Sequence, residues 1–109
     1  MVRDSTSSTD LYMMFFSPGN VKLSSEAQQI VRQAAIRAKT LEPSIIEIAV
    51  PPDVPGELPL FQVRVAAIEN AMSVEGTDPK QVSYRPLSEE EATSVPGAEP
   101  RAEISIVQR

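Results

Sequence analysis

The chain has 109 residues, 41% hydrophobic and 23% charged, and carries a net charge of −5, which bounds it to one small domain with a single core. It contains neither Cys nor His, which excludes thiol nucleophiles, thiolate metal sites, imidazole acid–base chemistry and serine–histidine hydrolysis. An acidic chain without a basic cluster is not built to neutralise nucleic-acid phosphates or anionic lipid, and no apolar run approaches the ~20 residues needed to span a bilayer.

Residues 1–10, "MVRDSTSSTD", are polar and rich in Ser and Thr, and read as a disordered lead or linker. They lack the apolar stretch of a signal peptide. "LYMMFF" at 11–16 is an apolar run closed by the turn signal "SPGN", and reads as a buried strand. With only two Tyr and three Phe in the chain, aliphatic side chains and Met must fill the core, and Met13, Met14 and Met72 read as core filler.

"LSSEAQQIVRQAAIRAKTLEP" is the clearest helix. Ala27, Ile30, Val31, Ala34, Ala35, Ala38 and Leu41 recur at the spacing of one buried face. Ser24 or Ser25 can cap its start, with Gln28 completing a capping box on Ser25, and Pro43 stops it. Arg32, Arg37 and Lys39 fall on or beside the polar face. "SIIEIAV" at 44–50 is strand-like.

Pro55-Gly56 then marks a turn, and Pro59 suits the first turn of a second helix that runs to about Glu75, with Gly76 as its C-terminal cap. A strand from about Lys80 to Arg85 follows. The connection "SEEEATSVPGAEP" offers one helical turn opened by Ser88 and Glu91. "RAEISIVQR" alternates and closes the domain as a strand, with Ala102, Ile104 and Ile106 on one face and Glu103, Ser105 and Val107 on the other. The order β-α-β-α-β-β predicts an α+β two-layer sandwich, two helices on one face of a four-stranded mixed sheet.

The second helix carries an anomaly. At 100° per residue, Leu60, Phe61, Ala67, Ile68 and Ala71 span roughly 140° to 260° from Gln62, and Arg64 lies at roughly 200°, inside that apolar arc. A guanidinium aimed at a core is costly unless paired. Asp53, after the second strand, is the natural partner. A carboxylate and a guanidinium so placed suit a zwitterion, Asp53 holding an ammonium and Arg64 gripping a carboxylate through its planar fork. The same spacing suits a structural Asp53–Arg64 bridge that only pins loop to helix. Glu89, Glu90 and Glu91 lack the loop spacing of a cation site and read as a solvated run. No cofactor and no metal are expected.

The element order and several motifs resemble the OmpA-like domain, the C-terminal peptidoglycan-associating module of outer-membrane and flagellar-motor proteins, over residues 11–109. "YMMFFSPGNVKLSSEAQQIVRQAA" is similar to the family's F-F-x-P-G-S-x-x-L-x-x-E-A opening. "IIEIAVPPD" matches the strand ending in Gly-His-Thr-Asp, so Asp53 takes the place of that Asp. "LFQVRVAAIENAM" matches L-S-x-x-R-A-x-x-V-x-x-x-L, so Leu60, Arg64, Ile68 and Met72 take the places of its Leu, Arg, Val and last Leu. "PRAEISI" matches R-R-V-E-I-x-I, with Arg101 in the place of the second Arg.

The resemblance implies a binding module rather than an enzyme, in the periplasm and tethered to a membrane through an upstream segment. It implies noncovalent cell-wall anchoring, Asp53 and Arg64 clasping the diaminopimelate of a peptidoglycan stem peptide, with Arg101 counted among the ligand-binding residues. The departures are specific. Pro51-Pro52 replace His-Thr, the loop from Asp53 to Arg64 is shorter than usual, Glu57 falls on the family's Asn, and Phe61 falls on the Ser before the Arg. Pro86 and Ser88 replace the two glycines after the third strand, and Pro100 replaces the first Arg of the last motif. These leave a second expectation open: a degenerate OmpA-like domain that has lost peptidoglycan and serves structure or contact with other envelope proteins.

Overall fold

The computed structural model describes residues 9–16, 22–41, 43–53, 55–56, 58–88 and 101–108. In chain order the elements are β1 (Thr9–Phe15), α1 (Ser25–Thr40), β2 (Ser44–Val50), α2 (Phe61–Val74), β3 (Val82–Pro86) and β4 (Arg101–Gln108). Among the described residues the strands form one four-stranded sheet in the order β1-β4-β2-β3. β4 is antiparallel to both β1 and β2, and β3 is parallel to β2. The architecture is the expected α+β sandwich on a mixed sheet. The turn of helix expected at Ser88–Glu91 and the acidic run Glu89–Glu91 lie outside the described residues.

One sheet face is buried, and strand alternation assigns it. Ile46, Ile48 and Val50 of β2 and Ala102, Ile104 and Ile106 of β4 are fully buried beneath the helices, each large aliphatic contributing about 1.5–3 kcal/mol relative to exposure. α1 meets them with Ala27, Val31, Ala34, Ala35 and Ala38, small residues that let the helix lie close on the sheet. Ile30 and Leu41 are partly buried and pack against this core.

β1 differs from a wholly buried strand. Met14, like Phe16 just beyond the strand, turns to the core, while Leu11, Met13 and Phe15 on the other face are 51%, 44% and 46% exposed. Met14 and Met72 are core filler; Met13 is not, because an edge strand of a sheet covered on one side buries only alternate residues. The strand also opens at Thr9, taking in two residues assigned by composition to the polar lead. Asp10 accepts from Arg37 of α1 in an ion pair, which raises the Arg37 guanidinium above its ordinary value.

The caps explain the helix bounds. Ser24 caps α1, its Oγ accepting from the Ala27 N–H at 3.0 Å. The third helical position is therefore Ala27, so no capping box forms on Ser25, and Gln28 instead donates to the Leu23 carbonyl at 3.1 Å. α2 begins at Phe61 after Leu60, which leaves Pro59 outside the first turn. Its C-terminus closes as a Schellman motif: Gly76 N–H donates to Ser73 C=O at 2.9 Å and Thr77 N–H to Met72 C=O at 3.1 Å, with Gly76 at φ +82°. Lys39 of α1 donates to the Glu75 carbonyl at 3.0 Å, a cation on the negative end of α2. β3 opens at Val82 rather than Lys80, because Pro79–Gln81 form a 3₁₀ turn capped by Asp78.

Between α2 and β3 a cavity of about 160 Å³ is lined by Glu69, Met72, Thr77 and Tyr84 among others. Burial, reinforced by the Glu69 carboxylate, pushes the Tyr84 phenol up to about 12. The folded chain thus keeps a proton that the unfolded chain releases near pH 10. This contribution to stability is intact below about pH 10 and is lost as pH rises towards about 12. Chemical denaturation from pH 9 upward should show a fall that is shallower in Tyr84→Phe. Gly76→Ala, which places a Cβ at positive φ, should lower stability by about 1 kcal/mol in the same assay.

Candidate functional site

The second strand and the second helix converge on one end of the domain. Val50 closes β2, and its carbonyl accepts from Leu87 N–H at 2.8 Å. Pro51 is buried and Pro52 half-buried, which holds the outgoing chain against the domain, and Asp53 is exposed. The chain then turns through Pro55 and Gly56, the latter at φ +86°, a backbone state that favours glycine. It returns to α2 at Phe61.

Asp53 sits at the N-terminus of α2. Its Oδ1 accepts from Phe61 N–H at 2.9 Å. Leu60 offers no side-chain cap, and the first turn of α2 holds no acidic residue. Asp53 therefore supplies from outside the helix both the missing acceptor and the negative charge that the positive end of the helix favours.

Arg64 lies one turn into α2, and its backbone N–H donates to Leu60 C=O at 2.9 Å. The buried stripe of α2 is Arg64, Ile68 and Met72, four-residue steps along one face. Arg64 is 5% exposed, close to the 0% and 2% of Ile68 and Met72 on the same stripe. Its Cζ lies over the ring of Phe16 at 4.7 Å from the centroid, and Phe16 itself is 1% exposed. Burial pushes the guanidinium below its ordinary value, and the nearby Asp53 charge pulls it back up. The cation on the apolar arc thus lies against an aromatic face and within the field of a carboxylate at the end of the helix.

The structure brings Asp53 and Arg64 to one end of the domain, and Arg101 opens β4 at that same end of the sheet but on its other face. Arg101 pairs with Phe15 of β1. Strand alternation sets it on the face opposite Ala102, Ile104 and Ile106, away from the helices. It is 5% exposed, and its Nε donates to Glu103 Oε2 on the same face at 2.8 Å. Glu57 lies outside the described residues. Two contributors were not singled out from sequence. The Phe61 backbone donor has no sequence signature, since any non-proline residue supplies it. Phe16 did carry a signal: a helical arginine on an apolar arc needs an aromatic or acidic partner, and the chain has three Phe.

No protein-family model matches the chain, and no curated protein sequence matches it. Solved structures do. The peptidoglycan-associated lipoprotein of Burkholderia pseudomallei superposes with a TM-score of 0.69 at 21% identity, over 87% of this chain and 89% of that one. The OmpA-like domain of FopA1 from Francisella tularensis gives 0.71 at 13% identity, over 92% and 73%. The cell wall anchor of the T6SS from Pseudomonas aeruginosa gives 0.69 at 15% identity, over 100% and 87%. With two helices on one face of a mixed β1-β4-β2-β3 sheet and this agreement over nearly its whole length, the chain has the fold of an OmpA-like domain.

Proposed function

We propose that this domain is a noncovalent peptidoglycan-binding module of the bacterial cell envelope, in which Arg64 takes a carboxylate and Asp53 an ammonium of the stem-peptide diaminopimelate. The observation that carries the reading is the placement of Arg64, an arginine on a core-facing helical stripe within the field of an exposed carboxylate. A cation kept at such a position, where an apolar residue would pack without desolvation cost, is accounted for by a ligand that needs it. The solved relatives support this, one being named peptidoglycan-associated and another a cell wall anchor. On this reading the module binds and does not catalyse, lies in the periplasm, and is tethered to a membrane through an upstream segment. Arg101, whose Nε donates to Glu103 Oε2, is counted on this reading among the ligand-binding residues.

A specific observation favours a second reading. Asp53 already caps α2, and Arg64 already lies over Phe16, so both groups have structural work without a ligand. On that reading the pair is a remnant that stabilises a protein–protein interaction module.

Titration with meso-diaminopimelate, read by NMR, separates the two. The binding reading expects the Asp53 and Arg64 signals to shift and Arg64→Ala to abolish cell-wall pull-down. Unchanged spectra at millimolar ligand would leave the structural reading. Cap and charge separate by substitution at Asp53. Asp53→Ala should cost about 1 kcal/mol in thermal or chemical melts, and Asp53→Asn, which keeps an acceptor for Phe61 N–H, less. Both should weaken diaminopimelate binding, because both remove the charge that meets the ammonium.

A further inference from the structure

We infer that Phe16 is a positioning residue for the ligand-gripping arginine: its ring is the platform that orders Arg64 and fixes where the guanidinium presents its N–H groups. The inference rests on the binding reading above for its effect on affinity, and on geometry alone for its effect on Arg64.

Phe16 follows β1 directly, so its ring is anchored by the sheet, whereas Arg64 belongs to α2. The two come from different layers and meet at 4.7 Å from Cζ to ring centroid. Phe16 is 1% exposed and Arg64 5% exposed, so the contact is desolvated, where a cation over an aromatic face is worth most. An arginine side chain has several rotatable bonds, and holding it costs entropy at the moment of binding unless the free protein has already held it. The ring does this through the face of its π system, an attraction that does not itself occupy an N–H donor. Asp53 contributes charge at this end while its Oδ1 accepts from Phe61 N–H, and the aromatic face adds a fixed surface against which the guanidinium lies.

Phe16 is also core, so the test must separate platform from filler. Phe16→Leu keeps an apolar side chain and removes the quadrupole, while Phe16→Tyr keeps it. In the wild-type protein without ligand, the Arg64 Nε–Hε signal is expected upfield of the free-arginine position, from the ring current, and ordered. In Phe16→Leu this shift and order should be lost, and affinity for meso-diaminopimelate should fall about 3- to 30-fold. Phe16→Tyr should retain both. Phe16→Met serves as a second apolar variant if Phe16→Leu does not fold. A Leu or Met variant with an ordered Arg64 and wild-type affinity would overturn the inference. If wild-type protein does not bind diaminopimelate, the binding reading fails, and the Arg64 signal in the free proteins decides the positioning role: an Arg64 equally ordered in Phe16→Leu overturns it, and one ordered only over an aromatic ring sustains it.

Discussion

β4 pairs along its length with β1 on one side and β2 on the other, so the last strand of the chain joins the first strand to the third element. Without it β1 has no sheet partner, and α1 has no continuous surface to cover. The alternation within β4, with Ala102, Ile104 and Ile106 fully buried and Glu103, Ser105 and Val107 partly exposed, sets which face of the whole sheet is core. A shift of one residue in this register would turn the isoleucines to solvent. The topology also makes the fold a long-range one, since the central β4–β2 pairing closes only when residues near 103–108 reach residues 44–49, and the edge pairing only when β4 reaches residues 9–15.

The candidate site depends on that frame at second hand. Phe16 is placed by β1, Asp53 by the exit from β2, and Arg64 by the packing of Ile68 and Met72 on the sheet. None of these three is near the others in local structure. They meet because the end of β1, the end of β2 and the start of α2 lie at one end of the domain. The buried cation is tolerated there because desolvation is offset by the aromatic face and by the field of Asp53. The carboxylate in turn serves the helix, capping an N-terminus whose own residues supply no acceptor.

Much of this was legible in the residues. The alanine and valine spacing of α1, the strict alternation of β4, the strand 44–50 and the Gly76 cap are local patterns with one physical reading each, and all four stand. The oddness of Arg64 was legible from helical angle alone. Where reading and structure part, a tertiary or competing local effect decides. Met13 resembles core filler by type, yet its position on an edge strand with one open face exposes it. Ser25 fits a capping box, yet Ser24 takes the cap first. Lys80 fits the coming strand, yet Asp78-Pro79 closes a 3₁₀ turn before it.

The sequence by itself determined the element types and their order, the buried faces of α1 and β4, and the presence of a charge inside an apolar stripe, because periodicity and turn chemistry act over a few residues. Only the tertiary structure decided what meets that charge. A ring 48 positions away from Arg64 in the chain (64 minus 16) and a carboxylate that caps a helix from outside it are brought together by strand order and layer packing, and no spacing along the chain encodes those distances.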